Sequence, residues 1–171
     1  FRKLVIYKHP KLEDTLITLY HEAFHQYLQD YLDAAPQWFN EGLGDYFGAF
    51  QYVKRGAEEL MYPRPNLGRL RYVQSAIAVK RCPPASELMV MSQREMYNPQ
   101  MAGIHYAQAW AMIYFMLDGN KPQYRNVLVS YFKTLTKGKD IHEAYQSTFG
   151  RLNMAKFDEE WKGYIANLSG K

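Results

Sequence analysis

The segment His21-Glu22-Ala23-Phe24-His25 places two histidines four residues apart, and Glu41 follows in Trp38-Phe39-Asn40-Glu41-Gly42-Leu43. On a helix, residues i and i+4 lie on the same face, so His21 and His25 can point two imidazole nitrogens at one ion. A catalytic zinc site needs a third protein ligand and an open position for water, and Glu41 can supply that ligand. Glu22 adjoins the first histidine, where its carboxylate can act as a base on a metal-activated water.

The sequence around this motif predicts that it lies on a helix. Apolar residues recur at intervals of three or four, as in a buried helical stripe: Leu16, Leu19, Ala23, Tyr27 and Tyr31. Pro36 ends this helix at about residue 33, because the residue before a proline avoids helical geometry. A second helix from about Pro36 then carries Glu41 in its early turns. An HExxH match alone also occurs by chance on exposed helices, but this helical context favours a metal site.

The segment Trp38-Phe39-Asn40-Glu41-Gly42-Leu43-Gly44-Asp45-Tyr46-Phe47 resembles the W-x-N-E-G-x-A-x-Y-F segment of peptidase MA-like families. Tyr106-Ala107-Gln108-Ala109-Trp110-Ala111 is similar to a downstream helix of exported bacterial members of that group. The chain therefore resembles the gluzincins, which are zinc peptidases with a glutamate as third ligand. The resemblance implies Zn²⁺ held by His21, His25 and Glu41, Glu22 as general base, a peptide or protein substrate and an extracytoplasmic or secreted location.

One feature departs from that resemblance. Fifteen residues separate His25 from Glu41, which is fewer than in thermolysin-like enzymes and aminopeptidases. The turn between the two helices must therefore be tight, and the specificity of those enzymes is not transferred to this chain.

Further site residues follow from position and from the resemblance. Asp45 lies one turn after Glu41, so it can accept the second ring N–H of a ligand histidine, although it could also be a solvated acid. Asn40 is expected to cap the second helix, with contact to the metal ligands as the alternative. Gluzincins often stabilise the oxyanion with a downstream Tyr or His, which suggests Tyr106, or less strongly His105. Tyr106 could instead pack in the core, since the chain has fifteen tyrosines.

Length and composition fit a single domain over residues 1–171, which the resemblance implies is gluzincin-like. The net charge is +4, and the basic residues are dispersed among acidic ones, which does not favour nucleic-acid binding. The single cysteine, Cys82, excludes an internal disulfide, and no segment reaches the roughly 18 apolar residues of a membrane span. The chain begins at Phe1 without a methionine, so we expect it to be part of a longer protein. The oligomeric state is left open.

The pattern predicts a mainly α fold with one N-terminal strand, and the resemblance implies that its helices form a zincin-like metallopeptidase core. That strand is expected at residues 3–7, and residues 56–65 are expected to be irregular. By resemblance, the rest of a substrate-binding sheet would precede Phe1. Helices are predicted at about 12–33, 36–53, 66–80, 85–91, 103–118, 122–136, 140–149 and 153–168.

Three functions remain open at this point. The first is a zinc metallopeptidase. The second is a non-catalytic zinc-binding or scaffold domain derived from a peptidase fold, which the intact Glu22 disfavours. The third is a metal-free helical interaction module, which the spacing of His21, His25 and Glu41 makes the weakest.

Overall fold

The computed structural model describes residues 4, 6, 8–55 and 58–170. These residues form a mainly helical fold with a small antiparallel hairpin, so the predicted fold class is confirmed. The elements are α1 (Leu12–Leu28), α2 (Gln37–Gly48), β1 (Gln51–Arg55), β2 (Glu58–Tyr62), α3 (Leu67–Ala78), α4 (Ala85–Leu88), α5 (Gln93–Met96), α6 (Ala102–Asp118), α7 (Pro122–Leu135), α8 (Ile141–Ser147), a 3₁₀ turn (Phe149–Arg151) and α9 (Met154–Ala166).

Helix α6 lies at the centre of the fold. It is apolar on nearly all sides, and every residue from Ala107 to Met116 is buried, as expected for a helix enclosed by others. Helix α2 lies between α6 and α1. Glycines permit this close packing, because a Cβ on Gly42 would lie 2.7 Å from Ala109 O of α6 and a Cβ on Gly48 would lie 2.9 Å from Ile17 O of α1. The backbone of α2, which carries Glu41, is thus fixed from both sides.

Large aromatic side chains anchor α2 to the C-terminal half of the fold. Trp38 packs against Tyr131 of α7 and Phe149 of the 3₁₀ turn, with ring centroids 5.7 and 5.8 Å apart. Phe39 also packs against Tyr131, at 5.7 Å. Such rings bury large areas and stabilise their neighbours by about 0.5–1.5 kcal/mol per pair beyond burial alone.

The structure corrects the predictions after the second helix. Helix α2 ends at Gly48, not near residue 53. Strands β1 and β2 form a hairpin where the sequence predicted the end of this helix and an irregular segment over residues 56–65. Its register pairs Tyr52 with Met61 and Val53 with Leu60. Tyr and Val favour a strand, but so short a segment following a helix gave no independent signal. Helix α1 also ends earlier than predicted, at Leu28, and the short helix α5 was missed.

The N-terminal strand expected at residues 3–7 lies outside the described residues, apart from Leu4 and Ile6. Among the helices that are described, none has both the length and the apolar character that crossing a bilayer requires.

Candidate metal centre

The two histidines of α1 converge as the i and i+4 spacing predicts. Nε2 of His21 lies 2.8 Å from Nε2 of His25, and the rings meet edge to face. One carboxylate oxygen of Glu22 completes a group whose possible ligand atoms all lie within 4.8 Å of one another. This His-Glu-His group can hold a metal ion.

Glu41 reaches the same point from α2. Its Oε2 lies 3.4 Å from Nε2 of His21 and 3.6 Å from Nε2 of His25. Ligand atoms around a tetrahedral ion with bonds of about 2.05 Å stand about 3.3 Å apart. The two His–Glu distances are close to this value, whereas the imidazole nitrogens would have to separate by about 0.5 Å to accept an ion. The donor set therefore fits a small divalent metal after a minor adjustment.

Two carboxylates thus flank the imidazole pair, and their surroundings differ. Glu41 is only 6% exposed and is fixed by hydrogen bonds, whereas Glu22 is less buried and makes no side-chain hydrogen bond within the described part of the chain. Glu41, which is fixed and lies close to both imidazoles, suits a metal ligand, whereas the less constrained Glu22 suits a group that accepts and donates protons.

Each imidazole has a partner on its other nitrogen. Asp45 Oδ1 lies 3.1 Å from Nδ1 of His21, and Asn40 Oδ1 lies 2.9 Å from Nδ1 of His25. An acceptor at Nδ1 favours the tautomer with the proton there, which leaves the Nε2 lone pair for a metal. The position of Asp45 therefore matches its expected contact. The expectation that Asn40 caps α2 is wrong, because Pro36 is the N-cap and Asn40 lies inside the helix.

A second layer supports Asp45. Arg69 of α3 donates from Nε to Asp45 Oδ2 at 2.6 Å and from Nη2 to Oδ1 at 3.4 Å. The guanidinium carbon also lies 5.0 Å from the centre of the Tyr106 ring. Arg69 therefore links the histidine partner to the residue expected to assist catalysis.

Tyr97, the residue directly after α5, contacts the candidate ligand Glu41. Its hydroxyl donates to Glu41 Oε1 at 2.8 Å and also lies 2.7 Å from Gln37 Oε1. Its ring stacks on Tyr106, with centroids 5.9 Å apart and planes 7° from parallel. Burial, and then Glu41, raise the pKa of Tyr97 above the ordinary tyrosine range, so its hydroxyl keeps its proton.

The charges at this centre shift two pKa values strongly. Burial lowers the pKa of His21, but hydrogen bonds and charge from Asp45 and Glu41 outweigh it and raise the pKa to about 9. Burial raises the pKa of Glu41, yet its contacts with His21, His25 and Tyr97 hold it at about 2. In the metal-free chain, the glutamate is thus ionised and His21 attracts a proton at neutral pH.

Tyr106 and His105 are adjacent in sequence but differ in their surroundings. Tyr106 is half-buried beside Tyr97 and Arg69, and burial followed by the charge of Glu41 raises its pKa, so it can donate a hydrogen bond. His105 is 4% exposed and its Nδ1 lies 3.0 Å from Met96 O. His105 is therefore a buried residue that supports the backbone next to Tyr97.

An open cleft of about 480 Å³ adjoins His21. It is bordered by helices α1, α2, α3 and α6, and a neighbouring groove shares part of its wall. The residues that line the cleft are Ile17, Thr18, His21, Asp45, Asn66, Gly68, Arg69, Tyr72 and Gly103.

A scan against protein-family models matches residues 15–142 to the family described as "Protein of unknown function (DUF1570)". The chain belongs to this family. The matched span contains every side chain of the centre described above, from His21 on α1 to Tyr106 on α6. Searches of curated proteins and of solved structures give no match.

Sequence reasoning missed Tyr97 and Arg69. Arg69 lies 24 residues from Asp45 and Tyr97 lies 56 residues from Glu41, so no local spacing connects them. For Asn40, the sequence favoured a helix cap and gave contact with the metal ligands as the alternative, and its contact with His25 agrees with that alternative.

Proposed function

We propose that this protein is a zinc-dependent peptidase of the gluzincin type, with His21, His25 and Glu41 as the metal ligands. The observation that supports this most is the convergence of three ligand atoms from two helices at 2.8–3.6 Å. In a metal-free interaction module, burying a glutamate against two imidazoles would cost desolvation free energy and serve no binding function.

The choice of zinc rests on the donor set. Two imidazoles and one carboxylate form the ligand set of known catalytic zinc sites. When bound, zinc polarises a carbonyl oxygen and lowers the pKa of water to near neutrality. Asn40 and Asp45 hold the imidazoles in the tautomer that this metal requires.

Glu22 acts as the general base in this proposal. Its carboxylate lies within reach of the ligand group, and it is less buried than Glu41, so it can accept a proton from water and later pass it to the leaving amine. Replacing it with Gln keeps size and polarity but removes the base.

Tyr106 donates a hydrogen bond to the oxyanion that forms during peptide cleavage. Its raised pKa keeps the hydroxyl protonated, and Tyr97 and Arg69 hold its ring on two sides. A donor that strengthens its contact as charge develops lowers the barrier selectively. The cleft beside His21 would receive the peptide.

Two measurements test this function. Elemental analysis of protein purified with zinc should find one zinc per chain, and His21→Ala or His25→Ala should remove it. The ligand assignment is wrong if both variants retain full zinc. Peptidase assays should then show turnover by the wild type and none by Glu22→Gln with zinc still bound, in a protein that includes any sequence preceding Phe1. Zinc binding without turnover in either protein would favour the non-catalytic zinc domain.

A further inference from the structure

Tyr97 contacts Glu41 on the oxygen that faces away from the histidines. Glu41 Oε1 accepts from the Tyr97 hydroxyl at 2.8 Å, whereas Oε2 faces the two Nε2 atoms at 3.4 and 3.6 Å. The two carboxylate oxygens therefore have separate partners, and the carboxylate plane is fixed between them.

The hydroxyl of Tyr97 also lies 2.7 Å from the amide of Gln37. A phenol has one proton to donate, and an ionised carboxylate can only accept. The Tyr97 hydroxyl therefore donates its hydrogen bond to Glu41. Turning the Gln37 amide over lets its NH₂ donate to the phenol oxygen. Gln37 in the first turn of α2, Tyr97 and Glu41 then form a continuous chain of hydrogen bonds that ends on the carboxylate.

The backbone beside Tyr97 is held in place independently of the metal ligands. Met96 is fully buried, and its carbonyl oxygen lies 3.0 Å from Nδ1 of the buried His105. Ser92 and Glu95 close the start of α5 with a reciprocal cap. The Tyr97 hydroxyl is therefore presented from a rigid support, stacked on Tyr106.

We propose that Tyr97 is a positioning residue for the metal centre, which holds Glu41 Oε1 so that only Oε2 is available to the ion. Without this hydrogen bond, the carboxylate is no longer held in its ligating orientation, so ordering it on the ion weakens binding, and it can rotate to offer both oxygens. That would fill the position that a catalytic site keeps open for water. The inference rests on the proposed zinc site and assigns a role to a residue outside the HExxH motif.

Tyr97→Phe tests this, because it deletes the hydroxyl and keeps the stacked ring. Partners of metal ligands typically contribute about 10–100-fold to metal affinity, so the Zn²⁺ dissociation constant should rise by about that factor. The visible spectrum of the Co²⁺-substituted protein should also change, because it reports the number and geometry of ligands. Tyr164→Phe is the matched control. Tyr164 lies on α9, away from the centre, and its hydroxyl donates to the backbone oxygen of Asp118 at 3.3 Å. This control should leave both readouts unchanged.

The possible outcomes separate this inference from the proposed function. If the wild type binds zinc and Tyr97→Phe matches it in affinity and in Co²⁺ spectrum, the inference is overturned and the zinc site stands. If the wild type binds no zinc, both fail. If Tyr97→Phe and Tyr164→Phe weaken binding equally, the effect is one of general stability and Tyr97 has no positioning role. Equal melting temperatures of metal-free wild type and Tyr97→Phe, together with weaker binding, support the inference.

Discussion

Gly42 offers a quantitative test of how tightly α2 is held beside α6. A Cβ at this position would lie 2.7 Å from Ala109 O and 2.8 Å from Ile113 Cγ1. The nearer atom belongs to the backbone of a helix and cannot rotate away. Gly42→Ala must therefore move the helices apart by roughly 0.6 Å to restore an ordinary C···O contact of about 3.3 Å.

The net effect is the difference between two opposing contributions. Overpacking a close-packed core costs about 1–3 kcal/mol, while Ala is favoured over Gly inside a helix by about 1 kcal/mol. Because the clash involves backbone, we expect a cost near the upper end and a net loss of about 1–2 kcal/mol in the free energy of unfolding. Gly163→Ala in α9 is the control, since a Cβ there meets nothing within 4 Å. It should gain about 0.4–1 kcal/mol.

Urea denaturation of the metal-free proteins measures both values. Gly42→Ala should be less stable than the wild type and Gly163→Ala more stable, so the two variants should differ from each other by about 1.4–3 kcal/mol. Glu41 adjoins Gly42, so zinc affinity should fall in Gly42→Ala and stay unchanged in Gly163→Ala. The reasoning is refuted if Gly42→Ala is as stable as Gly163→Ala, because α6 would then not confine α2.

Further predictions concern pH and single side chains. Zinc binds neutral imidazole, and the pKa of His21 is about 9. The affinity for zinc should therefore keep rising between pH 7 and pH 9, and an affinity that stays constant over this range would contradict the prediction. In the metal-free protein, the raised His21 pKa stabilises the fold fully below about pH 6.5, and this is lost as pH rises through about 9. The urea midpoint should fall over that window, and Asp45→Asn should flatten the change. Burial raises the pKa of Cys82 to about 11, so iodoacetamide at pH 8 should alkylate it slowly until urea unfolds the chain. Tyr106→Phe should lower kcat about 10²–10³-fold with little change in KM, and wild-type kcat would make Tyr106 a packing residue.

The sequence was sufficient for the parts of the centre that depend on local geometry. His21 and His25 meet because a helix returns to the same face after four residues, which is true of any helix. Asp45 contacts His21 because it follows Glu41 by one turn. Most helices were found for the same reason, since apolar periodicity and capping residues are local signals.

Two predictions about α2 failed, at Asn40 and at the end of the helix. The start predicted near Pro36 agrees with α2 beginning at Gln37, which already places Asn40 inside the helix, so a capping role for it did not fit that start and its side chain faces His25 instead. The end of α2 at Gly48 and the hairpin after it were missed because short segments carry weak propensity.

The sequence by itself determined that two histidines and a glutamate could share an ion. Only the tertiary structure decided which side chains fix them, because Arg69 on α3 and Tyr97 at the end of α5 reach the centre from positions far along the chain. Nothing in the pattern distinguishes Tyr97 from the other fourteen tyrosines. Its contact with Glu41 exists because α5 and α6 pack on α2, and packing between distant elements depends on shape across the whole core, which no local spacing records.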